Sequence, residues 1–361
     1  MFRSTRSKLV LSYLGISLLV CGVALLVGGQ LLYKTVLNEA TNRVRLDLNA
    51  AQEIYLSRIK GVKVALNITT LGPVFRSALE KRDVEKLIPL LTSIAQQTEM
   101  DFAGIVTKDG KTLCRIGPNS IPKESSPSNP IAKLALQQRI AVSGTVILSN
   151  QFLFAENPEL ANRAKIKLLP TKRATPRPED EESSGMALAA AVPVFDSGNF
   201  LGVLYGGVLL NRSQDIVERV KDTIFQQETY KGQSIGTATI FFKDVRISTN
   251  VLSPDGSRAI GTVAFEEVTK HVLTDGKKWV DRAFVVNDWY ITAYEPIRDV
   301  QNNIVGMLYV GMLESKYALM KERLILLFFF FSMSGMLIAL TVSFFLSWKM
   351  FKRQIPNHKH Q

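Results

Sequence analysis

One pattern occurs twice in this sequence, as PVFDSGNFLGVLYGGVL at residues 193–209 and as PIRDVQNNIVGMLYVGML at residues 296–313. In each copy a glycine, the tyrosine three residues later and a second glycine keep the same spacing. Because a polar turn separates two apolar runs, each copy predicts a β-hairpin whose glycines admit close backbone approach. The recurrence predicts duplication of one sheet-bearing module. The alternative is a chance similarity between two unrelated hairpins.

The segments that follow the two copies differ in what they lead to. Residues 213–225 have a helical pattern and connect the first copy to the second module. Residues 313–323 are also predicted to be helical, and they run directly into an uncharged apolar stretch. We therefore expect a first module at residues 73–212 and a second module at residues 213–323, with the last strand of the second module coupled to that stretch.

Two uncharged runs, residues 9–33 and 324–348, are each 25 residues long, which is enough for a helix to span a bilayer. The first could instead be a signal peptide, but it exceeds the length of a signal-peptide core. The flanking tails, residues 1–8 and 349–361, carry basic residues and no acid, so they are predicted to be cytoplasmic. Residues 34–323 would then lie outside, in the periplasmic or extracellular space.

A long helix is predicted directly after the first span, at residues 34–72. Its apolar residues follow steps of three and four and form one stripe. They are Val44, Leu48, Ala51, Tyr55, Ile59, Val62 and Leu66. Gly72 and Pro73 should end the helix. We interpret it as a stalk that packs against its own domain or a partner.

The first module is predicted to contain a helix at about residues 74–98 and a hairpin around residues 108–110. A helix near residues 132–139 and a strand near residues 144–148 follow. Residues 165–185 are rich in proline and charge, basic first and acidic after, so they are predicted to form an exposed, mobile insertion.

Composition and charge exclude several classes of function. The net charge of +12 falls to +5 when the seven basic residues of the tails are set aside, so no nucleic-acid partner is expected. Cys21 lies in the first apolar run and Cys114 lies outside it, so no disulfide between them is expected. The tail histidines His358 and His360 have no scaffold for a metal. No catalytic constellation is visible, and no cofactor or metal is expected.

With this organisation in view, the chain resembles a double Cache region, the tandem PAS-like extracytoplasmic sensor of bacterial histidine kinases and chemoreceptors. The resemblance is carried best by GTATIFFKDVRISTN at residues 236–250, RAIGT at 258–262, RAFVVNDWYITAYEPI at 282–297 and GMLYVG at 306–311. It implies an α+β fold of two PAS-like Cache modules with antiparallel sheets on a long N-terminal helix, flanked by two transmembrane helices.

The resemblance also implies a function. The outer region would bind a small molecule, such as an organic acid, and pass the signal across the inner membrane as part of a two-component or chemotaxis-type system. Such sensors usually continue into a kinase or methyl-accepting domain. Since only 13 residues follow Trp348, we expect no enzymatic activity, and we expect a separate or missing cytoplasmic signalling partner and a homodimer.

The candidate ligand-binding residues are basic or hydroxyl-bearing, because a carboxylate needs fixed cationic and hydrogen-bonding donors. They are Arg246, Thr249, Arg258, Arg282, Tyr290 and Tyr294 in the second module and Arg115 in the first. By strand alternation, Tyr290, Thr292 and Tyr294 share one face. The alternative is that the arginines form structural ion pairs with Asp244, Asp255 or Glu295.

A structural membrane protein, such as a polysaccharide chain-length regulator, is the rival function. That class also has two spans and short inner tails, but it is mostly helical outside the membrane. The two predicted hairpins argue against it, and the strand content of residues 34–323 separates the two hypotheses.

Overall fold

The structure is a computed structural model, and it describes residues 5–121, 129–226, 228–230 and 232–352. Residues 1–4, 122–128, 227 and 231 lie outside the described residues, as do the last nine residues, which include His358 and His360. The predictions for those segments stay predictions.

The described chain is an α+β protein. The helices are α1 (Thr5–Leu71), α2 (Pro73–Glu80), α3 (Val84–Gln97), α4 (Pro130–Gln138), α5 (Asn150–Glu156), α6 (Pro158–Ala164), α7 (Asp215–Val220), α8 (Glu266–Thr269) and α9 (Glu314–Lys352). A π-helical turn extends α7 over Lys221–Phe225, and another extends α8 over Lys270–Thr274.

The first group of strands is β1 (Phe102–Thr107), β2 (Thr112–Arg115), β3 (Val142–Leu148), β4 (Ile166–Lys167), β5 (Glu181–Glu182), β6 (Gly185–Asp196) and β7 (Asn199–Leu209). The second group is β8 (Thr229–Tyr230), β9 (Gln233–Ser234), β10 (Gly236–Phe242), β11 (Val245–Thr249), β12 (Trp279–Val285), β13 (Asp288–Arg298) and β14 (Ile304–Leu313).

Ten of these strands form two five-stranded antiparallel sheets with the same topology. The first sheet has the order β2-β1-β7-β6-β3 and the second has the order β11-β10-β14-β13-β12. The repeated pattern of the sequence forms the β6–β7 hairpin of the first sheet and the β13–β14 hairpin of the second. Within them, Tyr205 pairs with Ala191 and Tyr309 pairs with Tyr294, so the two tyrosines occupy equivalent positions.

The chain divides into two compact units, one made of residues 43–313 and one that joins the N-terminal part of α1 to α9. In the second of these units, α1 and α9 are both long and apolar enough to cross a membrane. A Cβ added at Gly28 would approach the ring of Phe328 to 2.9 Å, so these two apolar helices pack closely at that point.

In the unit of residues 43–313, α1 packs its predicted stripe inward. All seven residues of the stripe are buried. Val62 and Leu66 join a core that includes Leu87 and Leu91 of α3 and Leu204 of β7. The helix ends at Leu71, directly before Gly72 and Pro73, as predicted.

One helix prediction was wrong in its extent. The helical pattern at residues 74–98 is divided by a turn at residues 81–83, so α2 and α3 are separate helices. Arg82 has a φ of 52°, a left-handed conformation that a continuous helix does not allow. Asp83 then caps α3 by accepting a hydrogen bond from the Lys86 backbone N–H, which lets the chain start a new helix.

The insertion at residues 165–185 is largely exposed, as predicted, but it is anchored to the second module. The backbone N–H of Leu169 donates to the carbonyl of Gly261 at 2.9 Å. The N–H of Val263 donates to the hydroxyl of Thr171 at 2.9 Å, and Arg177 lies 3.2 Å from Asp244. We call residues 168–177 the strap, because this segment of the first module lies along the second.

The strand content separates the two functional hypotheses of the sequence analysis. Residues 43–313 carry both five-stranded sheets. A region that is mostly helical, as the chain-length regulator hypothesis requires, does not describe this unit.

Candidate functional site

Arg246 lies on β11 with its guanidinium inside the second module. Its side chain is 2% exposed. Nε donates to the hydroxyl of Thr262 at 2.9 Å, and Nη1 donates to the hydroxyl of Thr239 at 2.6 Å. The guanidinium carbon lies 4.8 Å from the ring centre of Phe241. These two hydrogen bonds fix the orientation of the guanidinium. Nη2 makes no hydrogen bond within the described ranges, so the group keeps unused donor capacity.

Arg246 also has no carboxylate partner in the part of the chain that the structure describes. The three acids that sequence analysis offered as partners bind elsewhere: Asp244 contacts Arg177, Asp255 accepts from Ser257 and Glu295 contacts Lys278. Burial lowers the pKa of the guanidinium, because desolvation disfavours the charged form. A buried cation without a counter-charge is unfavourable, which makes this site ready to accept an anion.

Three tyrosines surround this cation. The rings of Tyr294 on β13 and Tyr309 on β14 lie 4.7 Å apart, and the Tyr309 hydroxyl forms a 2.9 Å hydrogen bond with Thr237. The hydroxyls of Tyr290 and Tyr294 make no hydrogen bond to any described residue. Burial raises the pKa of Tyr290 to about 12 and raises that of Tyr294 further. Both phenols therefore stay protonated at neutral pH and can donate a hydrogen bond.

A cleft of about 770 Å³ lies beside the cluster, with Thr237, Asn250, Arg258 and Tyr290 in its wall. Arg246 does not line the cleft itself, but its neighbours do. The Asn250 side-chain carbonyl accepts from the Ala238 backbone at 2.7 Å, while its buried amide nitrogen has no partner among the described residues. The wall of the cleft therefore contains a donor without a partner among the described residues.

The structure brings together four of the predicted site residues: Arg246, Thr249, Tyr290 and Tyr294. Thr249 is buried and its hydroxyl bonds that of Thr239 at 2.7 Å. Arg258 lies at the cleft, where Nη1 donates to the carbonyl of Thr249 and Nη2 donates to Glu218, each at 2.6 Å. Arg258 thus has a structural ion pair, as the alternative interpretation allowed, although with a different acid.

The structure does not bring Arg282 to this cluster. It lies on the edge strand β12, is exposed, and its guanidinium carbon lies 4.0 Å from the ring centre of Trp289. Arg282 pairs with Ile291, whereas Tyr290 pairs with Ala283. Because successive residues of a strand point to opposite faces, Arg282 faces away from the tyrosines.

Arg115, the remaining candidate, is satisfied inside the first module. It is 1% exposed, and Nη1 lies 3.6 Å from a carboxylate oxygen of Glu156, which is 2% exposed. The Tyr205 hydroxyl donates to the same oxygen at 2.6 Å. Burial raises the pKa of Glu156 to about 7, while the bond from Tyr205 and the charge of Arg115 lower it. Unlike Arg246, this cation already faces a carboxyl group of its own chain.

Three positions of the candidate site were missed by sequence analysis: Thr239, Thr262 and Asn250. Thr239 could have been found from its position in the strand that pairs with the repeated tyrosine, since it lies directly opposite Tyr309. Thr262 and Asn250 lie in or next to loops, and no periodicity signals where their side chains point.

Residues 208–323 match the model of the family described as single Cache domain 3. The curated protein sequences give no match. The periplasmic domain of Vibrio cholerae LuxQ is a similar solved structure, with 13% identity, 74% of this chain and 98% of that chain covered, and a TM-score of 0.44.

Two further solved structures are similar. The sensory domain of the Campylobacter jejuni chemoreceptor Tlp3 with isoleucine bound has 9% identity, covers 80% of this chain and 97% of its own, and gives a TM-score of 0.43. The ligand-binding domain of Mlp24 with asparagine has 13% identity, covers 81% and 99%, and gives 0.37. The family match at residues 208–323 confirms the sequence resemblance to Cache sensor regions.

Proposed function

We propose that this chain is a membrane-bound sensor that binds a small organic acid in its second module and acts by binding rather than by catalysis. The observation that carries the proposal is the buried Arg246 guanidinium, which has no carboxylate partner among the described residues and stands among hydroxyl groups beside a cleft. A ligand carboxylate would supply the missing negative charge.

The donors around the site fit a carboxylate. A guanidinium can bind a carboxylate through two parallel hydrogen bonds, and Nη2 of Arg246 is available for one of them. The phenols of Tyr290 and Tyr294 and the amide of Asn250 can donate further bonds. Tyr290 lines the cleft, so we propose that this side chain turns aside when the carboxylate reaches Arg246.

We further propose that the chain is a tandem Cache sensor in a bacterial inner membrane, with residues 34–323 on the periplasmic side. Two apolar helices and the basic tails support this topology. β14 ends at Leu313 and α9 begins at Glu314, so no loop residue separates the strand from the apolar helix. A shift of β14 on ligand binding would therefore pass to α9, in a homodimer, toward a cytoplasmic signalling partner.

The test uses the full chain, purified in detergent micelles, and thermal unfolding in the presence of small carboxylates. The panel contains acetate, succinate and malate together with the amino acids isoleucine and asparagine. A compound at about 100 times its dissociation constant stabilises the folded protein by about 2.7 kcal/mol, or a midpoint shift of roughly 5–10 °C. We expect at least one member to produce a shift of this kind.

Two variants decide whether the shift arises at the proposed site. Arg246→Met should abolish it, because the cation is lost while the volume stays similar. Arg282→Met is the matched control and should keep the shift, since Arg282 lies on the other face of the sheet. A shift that survives in Arg246→Met, or a panel that stabilises the unchanged chain nowhere, contradicts the carboxylate proposal.

A further inference from the structure

The two sheets can be aligned residue by residue from their hydrogen-bond registers. Tyr205 pairs with Gly104 in the first sheet, and Tyr309 pairs with Thr239 in the second. On the next strand, Arg115 lies opposite Gly104, as Thr249 lies opposite Thr239. Arg115 therefore stands at the position of Thr249, which itself accepts a long hydrogen bond of 3.5 Å from Arg246.

Both sheets thus place an arginine next to the repeated tyrosine on the same face, although from different positions of the edge strand. In the first sheet, a Cβ at Gly104 would collide with the Tyr205 hydroxyl, so the glycine leaves the room that this hydroxyl uses. That hydroxyl donates to the Glu156 carboxylate. In the second sheet, the corresponding place beside Arg246 holds no carboxylate of the described chain.

The two sites also differ in the size of the side chains on the strand beyond the repeated tyrosine, which is β6 in the first sheet and β13 in the second. β6 pairs with β7, which carries Tyr205, and β13 pairs in the same register with β14, which carries Tyr309. By this pairing, the residues of β6 that are equivalent to Tyr290, Thr292 and Tyr294 of β13 are Ala187, Ala189 and Ala191. The small alanines allow α5 and α6 to pack directly on the first sheet. Phe152, Leu153 and Leu160 of these helices join Ala187, Ala189 and Tyr205 in one buried core.

Glu156 is the last residue of α5, so the same packing delivers its carboxylate to Arg115. Both side chains are buried. One carboxylate oxygen accepts from Tyr205 and faces Arg115, while the other has no hydrogen-bond partner among the described residues. A carboxylate bound by an arginine and a tyrosine hydroxyl over the sheet is the arrangement proposed for a ligand in the second module.

We propose that Glu156 is a built-in ligand of the first module: its carboxylate fills the place that a small solute carboxylate takes in the second. The first module is then permanently occupied and does not respond to solutes. Sensing is confined to the second module, and the first acts as a fixed platform for it. The comparison with a solute rests on the proposed function, but the occupancy of the first module is tested without it.

The test removes the built-in carboxylate and returns it as a solute. In Glu156→Ala, the atoms lost from the side chain are a methylene and a carboxylate, which match acetate in number and charge. In the full chain in detergent micelles, we expect Glu156→Ala to unfold at a lower temperature and acetate to raise its midpoint by several degrees. Hydrogen exchange should show the recovered protection in β7 and α5.

Matched controls separate a specific site from a general effect of salt. The unchanged chain and Glu156→Gln, which keeps the side-chain volume, should gain no first-module protection from acetate. Acetamide, which has the shape of acetate without its charge, should not rescue Glu156→Ala. The double variant Arg115→Met/Glu156→Ala lacks the cation and should not be rescued by acetate either.

The outcomes decide the proposal in both directions. Rescue of Glu156→Ala by acetate alone, with protection restored in the first module, supports it. Equal stabilisation of Glu156→Gln, equal rescue by acetamide, or a Glu156→Ala chain that stays unfolded in acetate overturns it. The Arg246→Met experiment concerns the other module, so either proposal can fail while the other stands.

Discussion

The two modules have the same strand order in their sheets, but their buried arginines have different surroundings. In the first, Arg115 is paired with Glu156 under two helices that pack on an alanine-rich strand. In the second, Arg246 has no acid partner among the described residues, and the equivalent strand carries tyrosines. The comparison teaches that this fold supplies a place for a charged contact, while a few side chains at equivalent positions decide whether the chain itself fills it.

The largest expected difference between the two modules comes from replacing the buried arginine of each in turn. At pH 8 and above, where Glu156 is ionised, Arg115→Met leaves this carboxylate buried without its cation and should lower the free energy of unfolding by about 3–5 kcal/mol, as for other broken buried pairs. Arg246→Met replaces a cation that has no carboxylate partner among the described residues, so the unliganded protein should change by only about 1 kcal/mol in either direction.

Urea unfolding of the full chain in a mild detergent measures both values. Trp279 and Trp289 provide a fluorescence signal from the second module, and hydrogen exchange in β6 and β7 reports on the first. An Arg246→Met chain that is destabilised as much as Arg115→Met would show that Arg246 has a structural counter-charge, and the comparison would fail.

The second prediction concerns pH. The pKa of Glu156 is raised from 4.5 to about 7, so the folded protein holds the proton of this carboxyl more tightly than the unfolded chain does. The stabilisation that results is complete below pH 4.5 and is lost as the pH rises through 7. The free energy of unfolding should therefore fall across this window, by up to about 3 kcal/mol since each pKa unit corresponds to about 1.4 kcal/mol.

Glu156→Gln should remove the part of this decline that lies near pH 7. A decline below pH 6 should remain, because burial also raises the pKa of Asp47 on α1 from 3.8 to about 6. Urea midpoints at several pH values measure both segments. An identical pH profile in the Glu156→Gln variant and the unchanged chain would place the titration outside the first module.

The smallest expected effect distinguishes the two repeated tyrosines. Tyr205→Phe removes a donor from a buried carboxylate and should cost about 1–3 kcal/mol. Tyr309→Phe removes only a neutral bond to Thr237, which keeps a contact to the Gly311 carbonyl, so it should cost about 0.5–1.5 kcal/mol. Urea unfolding measures the pair, and a larger loss for Tyr309→Phe would reverse the assignment of the two sites.

The parts of the fold that sequence predicted are those with a regular period. The α1 stripe, the hairpins and the duplication follow from spacings of three to four, of two and of about a hundred residues, and each depends on local pattern. The break at residues 81–83 was missed because a left-handed Arg82 and a capping Asp83 interrupt the helix without disturbing its apolar period.

The candidate site was predictable only in its residue types. Arg246, Tyr290 and Tyr294 could be proposed from strand alternation and chemistry. Which arginines are paired could not, because pairing depends on residues far apart in the chain. Glu156 reaches Arg115 from a helix 41 positions away, and Arg282 faces away through a register that only strand pairing fixes.

The strap belongs to the first module but supplies contacts that the second module needs. Its backbone and side chains meet the loop that supplies Thr262 to Arg246: Leu169 donates to Gly261, Thr171 accepts from Val263 and the Arg173 carbonyl accepts from Glu266. A Cβ at Gly261 would collide with the Lys167 carbonyl, so the two segments lie in direct contact. Residues 208–323 excised on their own would lose these partners. The stretch that matches the family model is thus shorter than the segment of the chain that is needed for the cleft to keep its shape.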